Sequence, residues 1–319
     1  MPKDVHPQVQ AVLDQMTALG VPKVQDLDTE QARALMEAMA VARREEYQPP
    51  AVREVFNTTT GPGYGHVPVR VYKTVKEKNA PVIVFFHGGG HVIGSLDSHD
   101  TAARYLALAC DCTLVSVDYR MGPEHPFPAA VEDCFDATRW VSAQAETLGI
   151  DPAKVVVCGD SAGGNLAAVV SLMARDQGKL PIAAQVLIYP VIDYCGGTDS
   201  YARYGEGYGV LETKTVAWFR ERYLPESQDF VDWRACPRNA ASHEGLPATL
   251  VLTAECDVLR DEGVAYAAQL QSAGVHVDHI EYAGMVHGFF TFLGLVDDSN
   301  RAHQSVASFL KKIWRTKHR

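Results

Sequence analysis

Val155-Val156-Val157-Cys158-Gly159-Asp160-Ser161-Ala162-Gly163 runs an apolar strand into a turn of small residues, and a helical pattern begins directly after it. A serine nucleophile must stand clear of its sheet on a very sharp strand-to-helix turn, so the residues two before and two after it must be small. Gly159 and Gly163 meet that demand around Ser161. A helix starting there also aims its free amides and positive dipole end at negative charge developing beside the serine. Three fixed positions in five are common by chance. The strand before and the helix after are what give this match its weight.

Working outward, the same texture repeats. Short continuous apolar runs occur at Val82 to Phe86, Leu114 to Val117, Val186 to Tyr189 and Leu250 to Leu252. Continuous runs, not alternation, are what strands covered on both faces require. Helical patterns lie between them, at about 98–109, 128–147 and 163–176, with a last one at about 300–315. Strand–helix alternation of this kind predicts an α/β fold with a mostly parallel sheet flanked by helices. Val67, Val69 and Val71 alternate with other residues after a glycine-rich turn, which predicts an antiparallel pair at one side.

Two amphipathic helices precede the sheet. Val9, Val12, Leu13 and Met16 recur at helical spacing before Gly20-Val21-Pro22, and Asp28 with Gln31 forms a capping box for a helix carrying Ala32, Leu35, Met36 and Met39 on one face. Pro49-Pro50 breaks the chain. A second irregularity is the long gap between the strands at 186–189 and 250–252, which is rich in tyrosine. A long insertion at the carboxyl end of a parallel strand is where a substrate lid would sit. The expected division is a helical cap segment at 1–50 and a catalytic domain at 51–319, with a cap insertion at about 195–235.

His87-Gly88-Gly89-Gly90 directly follows the strand at 82–86. Bare glycine amides approach an oxyanion without side-chain obstruction, and with the amide of Ala162 such a loop supplies its donors. An activated serine needs a base and a group to orient it. Past the strand at 250–252, Asp257 lies in the turn and is the preferred acid, with Glu255 as runner-up; Asp261 and Glu262 read as first-turn residues of the next helix. Of the later histidines, His276 and His279 flank a strand residue, His303 and His318 fall in the last helix, and His287 alone sits in a loop just past a strand.

The 319 residues carry a formal charge of −10 and are 47% apolar. That balance disfavours a nucleic-acid or anionic-membrane partner, and no apolar run is long enough to span a bilayer. Seven cysteines, with no Cys-x-x-Cys spacing, read as core thiols of a cytoplasmic protein. There is no H-E-x-x-H, no Walker lysine and no dinucleotide fingerprint, so neither a metal nor another cofactor is expected. A homodimer is allowed by the sequence and not required by it.

Taken together, these pieces resemble the hormone-sensitive-lipase-like family of bacterial carboxylesterases. The resemblance rests on His87-Gly88-Gly89-Gly90, on Tyr119-Arg120 with Pro123-Glu124-His125-Pro126-Phe127-Pro128-Ala129, and on Gly159-Asp160-Ser161-Ala162-Gly163-Gly164-Asn165. Asp257-Val258-Leu259-Arg260-Asp261-Glu262-Gly263 and His287-Gly288-Phe289 complete it. It implies an α/β-hydrolase fold with an eight-stranded sheet and a helical cap. It also implies a triad of Ser161, Asp257 and His287, with oxyanion donors Gly88, Gly89 and Ala162, and His87 ordering its loop. The implied reaction is hydrolysis of a small ester by water; separately, the aromatic-rich insertion broken by Gly196, Gly197, Gly205, Gly207 and Gly209 suits a small closed cleft, which predicts short-to-medium acyl chains. An amide or lactone hydrolase would use the same triad. A ligand-binding receptor on the same fold is the further alternative that the resemblance implies, and His287, the histidine such receptors have lost, disfavours it. Met121-Gly122 departs from the family's usual Leu-Ala. His91 stands where a bulky apolar residue is frequent, and would place a polar group at the pocket wall.

Overall fold

The apolar runs form the strands of one eight-stranded sheet, seen in a computed structural model that describes residues 4–75, 78–178 and 180–315. In chain order the elements are α1 (Pro7–Ala18), α2 (Thr29–Glu46), β1 (Glu54–Thr59), β2 (Pro68–Lys73), β3 (Ala80–Phe86), α3 (Asp100–Cys110), β4 (Thr113–Val117), α4 (Ala129–Ala143) and α5 (Ala145–Leu148). Then follow β5 (Ile150–Asp160), α6 (Ala162–Gln177), β6 (Ala184–Ile188), α7 (Asp199–Tyr204), α8 (Thr213–Tyr223), β7 (Ala248–Cys256), α9 (Arg260–Ser272), β8 (Val277–Val286) and α10 (Asp297–Arg315).

The sheet order is β1-β2-β4-β3-β5-β6-β7-β8. β1/β2 and β2/β4 pair antiparallel, and every other neighbour is parallel. The central strands are covered on both faces: Val82, Val84 and Val156 are fully buried, as are Ile83 and Val157 between them. Phe86 pairs with Gly159 and Gly159 with Leu187, so β3, β5 and β6 end at nearly one level. That common edge carries the glycine loop and Ser161.

α1 and α2 form where helical spacing predicts them, and Asp28 and Gln31 make both bonds of the capping box. The tyrosine-rich insertion folds as α7 and α8. Among the described residues no helix is long and apolar enough to cross a membrane.

A small satellite core joins the N-terminal segment to the insertion. Ala32 of α2, Val92 and Ile93 after the glycine loop, and Trp218 and Phe219 of α8 are buried together. Polar contacts reinforce it: Lys23 Nζ lies 2.9 Å from Glu212, Thr215 Oγ1 donates to Gln25 Oε1 at 2.6 Å, and Trp218 Nε1 donates to Leu27 O at 3.1 Å.

Candidate active site

Ser161 sits on the hinge between β5 and α6 with φ 57° and ψ −118°, a conformation costly for a non-glycine residue and typical of functional sites. Its neighbours make room for it. A Cβ on Gly163 would fall 1.9 Å from Phe86 O, and one on Gly159 would fall 2.2 Å from Gly163 O. Both glycines are therefore required by close backbone, and Gly163 answers to β3 as well as to its own turn. The Ser161 amide donates to Ile188 O at 2.8 Å, and its carbonyl accepts from Val191 at 3.2 Å.

Asp257 follows β7 and His287 follows β8. His287 Nδ1 lies 2.7 Å from Asp257 Oδ2, and its Nε2 lies 2.8 Å from Ser161 Oγ. A carboxylate only accepts, so Nδ1 carries the proton and Nε2 accepts from the serine hydroxyl. Leu259 N donates to the other Asp257 oxygen at 3.0 Å. All three side chains are buried, Asp257 almost completely. Glu255, the runner-up acid, points elsewhere and accepts from the Gly284 amide at 2.8 Å. His279 reaches Thr253, His303 is buried against Ser299 O, and His318 lies outside the described residues.

The glycine loop differs from expectation at one position. The Gly88 amide donates to Asp160 Oδ1 at 2.9 Å and is not available to an oxyanion. The amides of Gly89, Gly90 and Ala162 make no hydrogen bond with any described residue. A single interaction accounts for the shift: the Asp160 carboxylate, one residue before Ser161, reaches back across the strand ends and takes the first amide. Burial pushes the Asp160 carboxyl up, but His99, His87 and the Gly88 amide outweigh it and hold the group below the usual carboxylate range.

The rest of the loop is also clamped. His87 Nδ1 lies 2.8 Å from Gly88 O, Tyr119 OH donates to His87 O at 2.6 Å, and Val92 and Ile93 both donate to Gly89 O. Burial lowers the His87 pKa to about 3, so its ring is neutral. Asp160 was visible in the sequence as a lone charge inside a run of small and apolar residues. His99, 3.7 Å from Asp160, had no such signal, because only tertiary packing brings it there.

Two further side chains shape the site. Tyr189, just past β6 with φ 33°, packs its ring 4.6 Å from that of His287. Glu262 of α9 accepts from Ile192 N at 2.7 Å and fixes the segment after β6. Burial pushes its pKa well above the carboxylate range. His91 does not line the pocket. It is fully buried, with its ring stacked 3.9 Å from that of Tyr223.

Above Ser161 lies a cavity of about 770 Å³, within the range of small-molecule sites. Gly89, Gly90 and His287 border it from the sheet side, Leu13 and Met36 from α1 and α2, and Phe219 from α8. Among the described residues no group of three or more His, Cys, Asp or Glu side chains is arranged to hold a metal ion.

A family model described as alpha/beta hydrolase fold matches residues 83–291. An arylesterase of Saccharolobus solfataricus is 38% identical over 249 residues, covering 78% of this chain and 80% of that one. An ethyl acetate hydrolase of Pseudomonas putida is 36% identical, covering 89% of each. Among solved structures, a hyperthermophilic esterase from the archaeon Pyrobaculum calidifontis superimposes with a TM-score of 0.92 at 38% identity, covering 98% of this chain and 99% of that one. With the family model matching well over half of its length, the chain belongs to the alpha/beta hydrolases, in their hormone-sensitive-lipase-like branch.

Proposed function

We propose that the chain is a serine carboxylesterase in which Ser161 is the nucleophile, His287 the base and Asp257 its orienting acid. The observation that carries this reading is the unbroken contact from Asp257 Oδ2 through His287 to Ser161 Oγ, at 2.7 and 2.8 Å, opening onto the cavity. Ser161 Oγ attacks the ester carbonyl as His287 Nε2 takes its proton. The oxyanion rests on the amides of Gly89, Gly90 and Ala162. Collapse breaks the bond to the alcohol oxygen, which leaves with the proton from His287. Water then attacks the acyl-enzyme and gives a proton to His287; the acid departs as that proton returns to Ser161. Asp160, by occupying the Gly88 amide, holds the loop so that the next two amides face the oxyanion.

Residues 1–50 and about 195–235 together act as the cap. Their side chains border the cavity, and the Lys23–Glu212 pair and the Trp218 cluster tie them to each other. A cavity of this size favours short-to-medium acyl chains, since each further methylene gains about 0.8 kcal/mol only while it stays enclosed. The free cysteines, six of them buried, accord with a reducing compartment such as the cytoplasm.

The test is kcat/KM across 4-nitrophenyl esters from acetate to palmitate, with an amide and a lactone of matched size. The expected maximum lies between two and eight acyl carbons or thereabouts, with ester turnover far above amide or lactone. A maximum at palmitate would reject the acyl-length reading, and amide-only turnover would reject the esterase.

A further inference from the structure

The cavity wall contributed by α2 is a single helical stripe. Ala32, Leu35, Met36, Met39, Ala40 and Arg43 all border the cavity, at the three- and four-residue spacing that puts them on one side of a helix. The first five are apolar, and the sixth carries a guanidinium.

Other charged groups at this cavity have partners. Lys23 is held by both oxygens of Glu212, Asp160 by the Gly88 amide, and Asp14 by Gln10 Nε2 at 2.8 Å. Among the described residues Arg43 makes one hydrogen bond, from Nη1 to Thr291 O at 3.3 Å, and rests over the Phe292 ring at 5.4 Å. Glu46 acts on it electrostatically, but no carboxylate among the described residues forms an ion pair with it. A guanidinium offers five donors in a planar fork that suits a carboxylate. Four of these have no partner among the described residues.

Its contacts tie it to the loop that follows His287. Thr291 donates to Gly288 O through both its amide, at 3.0 Å, and its hydroxyl, at 2.9 Å. The turn bearing Arg43's two contacts is thus closed directly onto the residue after His287. His287 protonates the departing alcohol in the proposed reaction, which puts the alcohol oxygen of a bound ester next to His287, the residue before Gly288. We propose that Arg43 is a recognition residue for esters whose alcohol half carries a carboxylate, which the guanidinium receives through its unused donors. The proposal rests on the serine-esterase reading.

Desolvation strengthens the case, since burial lowers the Arg43 pKa and a partly dehydrated cation gains more from an anion than a solvated one does. Favourable interaction with the helix dipole does not require this placement. Arg44 is in the same last turn of α2 and donates to Asp97 O at 2.6 Å instead.

The probes are 4-acetoxybenzoate and its methyl ester, which share an acyl group and a leaving-group skeleton and differ in charge. kcat/KM for both would be measured in wild type, Arg43→Gln and Arg43→Lys, with a melting curve for each. The expected result is a carboxylate-to-methyl-ester ratio about tenfold lower in Arg43→Gln, chiefly through KM, and partly restored in Arg43→Lys. An unchanged ratio, with or without a lower Tm, overturns the proposal and leaves Arg43 a structural side chain. Turnover of neither ester by wild type overturns the esterase reading and this proposal with it.

Discussion

Ser161, Asp257 and His287 each directly follow a strand of the sheet, whereas Lys23, Phe219 and Arg43, around the same cavity, belong to segments that no strand carries. The first set is positioned by backbone that could scarcely be elsewhere. Parallel pairing fixes where β5, β7 and β8 end, and Phe86 O stands so close to Gly163 that only glycine fits. The second set is positioned by side chains meeting across long stretches of sequence, through one half-exposed ion pair, a cluster of five buried residues and, for Arg43, a hydrogen bond to Thr291 O. Pair contacts of that kind contribute little each. The reaction should therefore survive changes in the wall better than the wall's selectivity does.

The sharpest way to break this contrast is at His287. Its replacement by alanine is expected to lower kcat by three orders of magnitude or more, at about the wild-type Tm, because a triad acts as one unit. Residual turnover within tenfold of wild type would remove His287 from the mechanism.

Asp160→Ala comes next. It frees the Gly88 amide and unpins the oxyanion loop, and is expected to cost about ten- to a hundredfold in kcat with KM little changed. Asp160→Asn keeps an acceptor oxygen and should recover part of the loss. Equal damage from both variants would assign Asp160 to packing alone.

The third effect concerns stability and falls where the two regions meet. Burial lowers the pKa of His91 to about 3. Between the ordinary histidine value of about 6.5 and that point, the unfolded chain takes up a proton that the folded chain refuses, so stability is lost as pH falls. At pH 5 the loss is about 2 kcal/mol for this one ring. His91→Phe keeps a ring against Tyr223, and its urea-unfolding free energy should fall by that much less between pH 7 and pH 5. An identical fall in both proteins would mean that His91 is not held neutral.

The smallest expected effect lies in the wall itself. Removal of residues 1–45 should raise KM for short esters by about tenfold while kcat falls less. An unchanged KM would separate α1 and α2 from substrate binding.

The sequence made this same division legible in part. Continuous apolar runs reported the parallel strands, because burial on both faces leaves no room for alternation, and the capping box at Asp28 reported the start of α2. Ser161, Asp257 and His287, which the structure brings into contact, could be picked out because each directly follows a strand. The Gly88 amide could not. A glycine triplet says that amides are bare, but which of them Asp160 occupies depends on how β3 and β5 align. His91 misled for a related reason: its place in the loop says nothing of the Tyr223 ring that α8 brings over it. Arg43 continues an apolar helical stripe, and only the cavity shows which way the stripe faces.

The central claim is that one oxygen, Ser161 Oγ, carries the acyl group. Incubation with a serine-directed phosphonate, followed by peptide mass spectrometry, tests it directly. The account predicts one adduct per chain, on Ser161, rising in step with loss of ester hydrolysis and absent from Ser161→Ala, which folds and is inactive. Labelling at another residue, or undiminished hydrolysis by the alanine variant, would contradict it.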